Sequence, residues 1–506
     1  MAAVTRFLDN DIIKIKAFKP DASGKPPAKK SKTDKKKEPK PKYIVLFWGD
    51  EVKITGKQNG QDIVEFQQRE WDKEARQYKF VPYVGLLPEG TTFRDDSVLK
   101  VRFVDIGQGD GAMVETPDGQ ILFIDGGEEE HMRRYVNVAY SHVLRRKALH
   151  CAAIIVTHGD ADHFEGLTHL LNATRNKKGD PLISADRVFH NGLVKVPNAS
   201  GKTAFGKNVK LDGKTYAIQL EDDLTKVPDS RMNGPFLNWK AALAKLKNKA
   251  GRKPSIERME FGDSAKFKFL ADEGIDVQVL GPITETVKGK PALRFLKTPG
   301  SSSLSASHTV NGHSIVLKLT YGNVRFLFGA DLNEESEESL LERARIDNIS
   351  LAAEVLKVPH HGSADFSPRI LEAIRPVVSV VSSGDENSAK EYIHPRSGLM
   401  GALGRYSRAT VDKPLVYVTE MVAFFRRFKG ENKVVPITNT KKEGKEVYSG
   451  FNAYSKSSFG IVHVRTDGKR VLVATHSGKE DQKESYVFHV DERGNIQFDE
   501  KPNQVS

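Results

Sequence analysis

Residues 157–166 read Thr-His-Gly-Asp-Ala-Asp-His-Phe-Glu-Gly, which places His158, Asp160, Asp162 and His163 within six positions. A helix cap accounts for one carboxylate here, since Asp160 or Asp162 could each start a helix at His163 or Phe164. It leaves the second carboxylate and both histidines unexplained. Crowded together, those groups repel or are costly to desolvate unless a cation neutralises them, so the spacing points to metal binding. The chemistry such a site supports is hydrolysis by a metal-bound hydroxide, because coordination lowers the pKa of water from about 15.7 to about 7 and no protein nucleophile is needed. The preceding run, Ala152-Ala153-Ile154-Ile155-Val156, is apolar and β-branched enough for a buried strand. His158 then emerges at a strand's carboxyl end, where α/β folds place their reactive groups.

Other segments pair apolar strands with polar ends in the same way. Val104-Asp105-Ile106-Gly107-Gln108-Gly109-Asp110 is followed by Ile121-Leu122-Phe123-Ile124-Asp125-Gly126-Gly127, a hairpin with glycine-rich turns. Asn311-Gly312-His313-Ser314 opens a strand that leads to Val324-Arg325-Phe326-Leu327-Phe328-Gly329-Ala330-Asp331. Leu356-Lys357-Val358-Pro359-His360-His361-Gly362-Ser363 ends another, His394-Pro395 follows the apolar run 377–383, and Gly460-Ile461-Val462-His463-Val464 begins a last hairpin. In this order the segments resemble the metallo-β-lactamase fold, with Asp160 at the second histidine position of its His-x-His-x-Asp-His motif. Within that fold they resemble the soluble hydrolase domain of the ComEC family, without its membrane channel, over roughly residues 99–475.

The resemblance implies an α/β chain folded as an αββα metallo-β-lactamase sandwich that holds two divalent metal ions. It implies His158 and Asp160 on the first metal, Asp162 and His163 on the second, Asp331 between them, and Asp125 supporting the loop from behind. The third ligand of the second metal is His361 or His394; that of the first is Asn311, His308 or water, with His313 also close by in sequence. His360 and His361 are adjacent, and on an extended strand they point to opposite sides, so one of them reaches the metals, with His361 preferred. Asp162, Asp331 and His361 are the catalytic set, Asp162 orienting or deprotonating the water. Replacing a histidine by Asp160 makes the first site richer in oxygen and moves preference from zinc towards manganese. The activity implied is phosphodiester cleavage of DNA or RNA. Hydrolysis of a carbon ester, lactone or thioester is the alternative, and a nucleic-acid-binding protein with an inactive site is the second.

The chain has 506 residues, enough for a full core and more than one domain. Residues 1–42 carry +8 of the net charge of +12, leaving the remainder nearly balanced. Rich in lysine and proline, they read as a disordered basic arm, either a contact for nucleic-acid phosphates or a solvated linker. Residues 43–95 read as a small β module, in which Tyr43, Phe47 and Trp48 are either core or platforms for bases. Residues 96–480 are the hydrolase domain, with an insertion around 198–290 whose basic run at 245–253 either caps the active-site face or ends a solvated helix. Residues 481–506 are a C-terminal strand and tail. Helical composition appears at 170–178 and 334–345. No apolar stretch approaches the roughly 20 residues that cross a bilayer, and residues 1–13 are too charged for a signal peptide, so no membrane partner is expected. The single cysteine, Cys151, has no intrachain partner, reads as an ordinary buried thiol, and points to a reducing, cytoplasmic compartment. The oligomeric state is left open.

Overall fold

The computed structural model of the protein describes every residue except 1–2, 22, 28–40, 75–76, 299, 385–393, 409–410, 412–413, 422–425, 428–433, 439–444, 450, 453–456, 459, 477–484, 500–503 and 506. The strand before the histidine loop is Ala153–Val156, and all four of its residues are buried. Ala153 and Ile155 enter one apolar cluster while Ile154 and Val156 enter another on the opposite face. A strand covered on both sides has no position for a polar residue, which is why its sequence is a continuous apolar run. It lies parallel to Ile121–Ile124 and Arg187–His190.

These strands belong to a 10-stranded sheet ordered Ser255–Arg258, Arg187–His190, Ala153–Val156, Ile121–Ile124, Ala112–Glu115, Leu99–Phe103, Ile461–Thr466, Arg470–His476, Ser485–Val490, Ile496–Phe498. A 6-stranded sheet runs Ile275–Gly281, Val316–Tyr321, Val324–Phe328, Val355–Lys357, Val378–Val381, Leu415–Val418. One core cluster draws on both, with Val101, Ile155 and Val464 from the first sheet beside Val277, Phe326 and Val380 from the second. On the far face of the first sheet, helices His131–Ala139, Ala161–Asn172 and Gly234–Lys245 contribute Met132, Leu167 and Trp239. On the far face of the second, helices Glu334–Ile346, Pro368–Ile374 and Ser397–Arg405 contribute Leu340, Ile370 and Leu403. The protein is therefore a mixed α/β chain. No helix among the described residues is long and apolar enough to cross a membrane. Cys151 is fully buried, and burial pushes its thiol pKa up.

The helix expected at 170–178 instead spans Ala161–Asn172. Asp162 and His163 occupy its first turn and hide the apolar stripe of Phe164, Leu167, Leu170 and Leu171 that packs it down. The second expected helix lies at Glu334–Ile346, with Asn333 and Ser336 forming a capping box. Two glycines set how closely the loops approach. A Cβ on Gly109, whose φ is +104°, would lie 1.8 Å from the Asp162 carbonyl oxygen, and one on Gly166 would lie 2.0 Å from that of Gly126. Gly166→Ala is expected to destabilise the protein by about 1–3 kcal/mol or more, the usual scale of overpacking, read as a lowered Tm with or without metal. An unchanged Tm would contradict this close approach.

The N-terminal boundaries need correction. Residues 1–42 are not an arm throughout, because Val4–Leu8 pairs with Glu51–Gln58 and Ile12–Phe18 pairs with Lys42–Phe47 and Gln77–Leu86. The lysine-rich stretch masked the short apolar repeat that precedes it: Leu8, Ile13 and Ile15 form a core with Val52, Val64 and Leu87. Residues 28–40 of the expected arm lie outside the described residues. Phe47 and Trp48 are core residues, packed with Ile12 against Val98, Leu472 and Val487 of the main body. Tyr43 stays exposed beside the Lys14 ammonium, 4.8 Å from its ring centroid. Arg465 ties the two parts together, donating to the Trp48 carbonyl at 2.6 Å and to Asp50 at 2.8 Å.

The expected insertion at 198–290 is largely integral. It supplies helix Gly234–Lys245, strand Ser255–Arg258 at the edge of the large sheet and strand Ile275–Gly281 at the edge of the smaller one. Only Asn208–Leu211, Lys214–Ala217 and Glu285–Val287, with Lys290–Arg294 just beyond, form a separate 4-stranded sheet. The basic run at 245–253 does not cap the site. Lys245 bonds Asn172 at 3.0 Å, at the far end of the helix whose first turn carries Asp162 and His163. That separation is roughly 14–15 Å along the axis. At the C-terminus, Ser485–Val490 and Ile496–Phe498 extend the large sheet, and Gln504–Val505 pairs with Ile12 and Ile13.

Candidate metal centre

Four chain segments meet at the carboxyl ends of the parallel strands. His158 follows Ala153–Val156, Asp162 and His163 lie in the first turn of the next helix, Asp331 follows Val324–Phe328, and His361 follows Val355–Lys357. Ligand atoms of His158, His163 and Asp331 lie within 4.8 Å of one another, as do those of Asp162, His163 and His361. Asp331 Oδ2 is 3.1 Å from His361 Nε2 and 3.4 Å from His163 Nε2, and Asp162 Oδ2 is 3.7 Å from His361 Nε2. His158 Nε2, His163 Nε2, His361 Nε2 and Asp331 Oδ1 are all buried without a hydrogen-bond partner. Orphaned buried polar atoms are rare and costly, and divalent cations, which take imidazole nitrogen and carboxylate oxygen as ligands, would satisfy them.

The surrounding hydrogen bonds explain why every Nε2 is left open. His163 Nδ1 donates to Asp125 at 2.8 Å, and Asp125 is itself fixed by the Thr157 backbone N–H at 2.8 Å and hydroxyl at 2.6 Å. His361 Nδ1 donates to the Ser382 carbonyl at 3.1 Å and lies 3.2 Å from Asp110, whose other oxygen is paired with Lys357. The Ser314 hydroxyl donates to the Asn311 carbonyl at 2.7 Å, so at 3.2 Å it accepts from His158 Nδ1. Each imidazole thus has a partner for a proton on Nδ1, which leaves its Nε2 free to ligate a cation once any proton there is lost, the arrangement metal-ligating histidines require. The backbone is strained around this point: Asp125, Ala330, His360 and His361 all adopt left-handed conformations, with φ between 46° and 58°. Each costs on the order of 1–3 kcal/mol and persists only where packing enforces it.

Burial opposes charge on His163, yet Asp331 and Asp125 hold its pKa well above the usual histidine range. Burial likewise opposes charge on His361, but Asp331 and Asp110 push it up to about 10. Burial would raise Asp331, and the two imidazolium groups outweigh it and hold it well below the carboxylate range. His158 goes the other way, lowered by burial and then by the charge on His163. Without metal, protons stand in for the cation. The contribution of His361 to stability is then complete below its unfolded pKa of about 6.5 and is lost as pH rises through about 10. The Tm of metal-stripped protein is expected to fall across that window, whereas metal-loaded protein loses this dependence because the ion displaces the protons. Parallel Tm profiles for both forms would refute the coupling.

No family model matches the chain, and no curated protein matches it.

Its remaining candidate residues stand around this group. Asp160 carboxylate oxygens meet Lys195 on one side and the Asn311 amide nitrogen, at 3.0 Å, on the other. The Asn311 oxygen in turn accepts from His360 Nε2 at 3.3 Å. His360 and His361 both adopt left-handed conformations in the turn at Pro359–Gly362, not the extended strand expected from sequence, and their ring centroids lie 6.2 Å apart. The His394 ring centroid lies 6.5 Å from that of His361, flanking the group, and burial followed by the charges on His361 and His360 lowers its pKa to about 4. His308 pairs with Asp365 at 3.1 Å, and His313 Nε2 bonds the Arg294 carbonyl at 2.7 Å, so both are committed elsewhere. Asp110, Lys357 and Lys195 are the site residues that sequence reading gave no role. Lys357 carried a usable signal, a charged residue inside an otherwise apolar strand.

Proposed function

We propose that the chain is a metal-dependent hydrolase of the metallo-β-lactamase fold, acting on the phosphodiester bonds of DNA or RNA. The observation that carries this reading is that three buried Nε2 atoms and Asp331 Oδ1 without hydrogen-bond partners belong to residues that close in overlapping groups within 4.8 Å, from segments far apart in sequence. The succession of helices, sheet, sheet and helices fits the αββα sandwich of that fold. Of the segments that carry the resemblance to the ComEC hydrolase domain, those leading to His158, Asp331 and His361 end at the same side of the two sheets, which supports this reading.

His163, Asp331 and His361, with Asp162 beside them, would hold a divalent zinc or manganese ion, and the resemblance implies a second ion next to His158 and Asp160. When bound, such an ion acidifies water and offsets the charge that develops on a phosphoryl group. Asp162, whose side chain is 23% exposed, is the carboxylate of the set that faces both the buried point and solvent, and it is placed to take a proton from water. Gln108 Nε2 approaches it at 3.5 Å. Asp125 and Asp110 hold the histidine rings in register. A nucleic-acid substrate fits the basic excess of residues 1–42, although part of that segment is structural.

The test uses full-length protein stripped with a chelator and restored with zinc or manganese. Single-stranded DNA, duplex DNA, RNA, a small aryl phosphodiester, a lactone and a thioester are offered in parallel. Metal-dependent cleavage of the phosphodiesters is the expected result. Turnover confined to the lactone or thioester would move the assignment to carbon esters, and binding of nucleic acid without turnover of any substrate would leave an inactive site.

A further inference from the structure

Asp160 occupies the place where the resemblance implies a ligand of the first metal, yet both of its oxygens are already engaged. Lys195 makes an ion pair with one, and the Asn311 amide, 3.0 Å away, donates to the other. Asp160 Oδ2 lies 3.9 Å from His158 Nε2, and Asp160 belongs to none of the ligand groups that close within 4.8 Å. His158 belongs to one, with His163 and Asp331. The orphaned nitrogen of His158 therefore closes a group with His163 and Asp331, whereas Asp160 closes one with no pair of ligands.

Lys195 is placed by the fold. It follows strand Arg187–His190, and its carbonyl accepts from the backbone N–H of Asn233 at 2.9 Å. Asn233 caps helix Gly234–Lys245 through its side chain, so the backbone that carries Lys195 is tied to an element packed beneath the metal loop. The lysine and Asp160 side chains are 30% and 21% exposed, which leaves the pair partly shielded from water and its attraction less screened than on the surface.

We propose that the Lys195 ammonium takes the place of the second cation: the centre holds one divalent ion tightly, on the ligand groups that share His163 and Asp331, while Asp160 is neutralised by lysine. This deepens the proposed metal-dependent reading and rests on it. A second divalent ion on Asp160 would have to displace the ammonium or sit against it, and two like charges sharing one carboxylate repel. The fixed ammonium would also present a positive charge to an anionic substrate at the edge of the site.

The experiment counts ions. Full-length protein, stripped and then dialysed against manganese or zinc, is examined by native mass spectrometry and elemental analysis, beside Lys195→Met and Lys195→Arg. One ion per chain is expected for the parent and for Lys195→Arg, which keeps the charge, and two for Lys195→Met, which frees Asp160. Two ions on the parent, or one on Lys195→Met, would overturn the proposal while leaving a metal site in place. No ion on the parent would overturn the metal reading itself.

Discussion

Asp331→Ala is expected to lose bound metal and to lower phosphodiester turnover by on the order of 10³-fold or more. The size follows from what the cation supplies, several kcal/mol of charge stabilisation, at about 1.4 kcal/mol for each factor of ten. Asp331 is 3% exposed and faces both His163 and His361, so no other carboxylate of the group can be moved into its position without rebuilding a strand end. Truncation also removes the charge that keeps those two imidazoles protonated in stripped protein. Asp331→Asn keeps the volume and separates folding from ligation: circular dichroism should match the parent, while elemental analysis shows the metal gone. If Asp331→Ala retains both its ion and its turnover, the centre described here is not the active site.

The strand before His158 is readable from sequence because burial on both faces leaves a run of apolar residues with nothing to break it. His158, Asp162 and His163 are readable because ligand types are rarely packed so densely for any other reason. Asp331 and His361 lie far along the chain, and they became candidates through the resemblance of their strand ends to a known pattern. What escapes is whatever depends on distance in space between residues without such a pattern. Asp110 reaches His361 across a separation of 251 positions by residue number, and its partner Lys357 comes from the strand just before that histidine. Lys195 lies in a loop with no motif of its own and matters only because helix Gly234–Lys245 carries it to Asp160. The same blindness made residues 198–290 look like an insertion, since strands at sheet edges are short and their partners are not neighbours in sequence. It also hid Val4–Leu8 and Ile12–Phe18, two brief strands beside a lysine-rich stretch whose composition dominates the segment.

Those two strands decide how the basic segment can be tested. Deleting residues 1–42 is expected to unfold the N-terminal module, not to trim an arm. Leu8, Ile12, Ile13 and Ile15 are each no more than 6% exposed, and burying a side chain of this kind contributes about 1.5–3 kcal/mol. Four of them amount to roughly 6–12 kcal/mol, on the scale of the whole stability of a typical domain, about 5–15 kcal/mol. The loss would reach the main body too, because Ile12, Phe47 and Trp48 cover Val98, Leu472 and Val487. Aggregation or a large fall in Tm is the expected outcome, and weaker nucleic-acid binding by such a truncation would say nothing about charge. Deleting residues 28–40 alone removes seven lysines and two acidic residues and leaves both strands in place. That variant should keep the parental Tm and the cleavage of a small diester, while its affinity for DNA or RNA falls and becomes less steeply dependent on salt, because fewer counterions are released on binding. Equal affinity and an equal salt slope in parent and variant would show that this stretch does not touch the substrate.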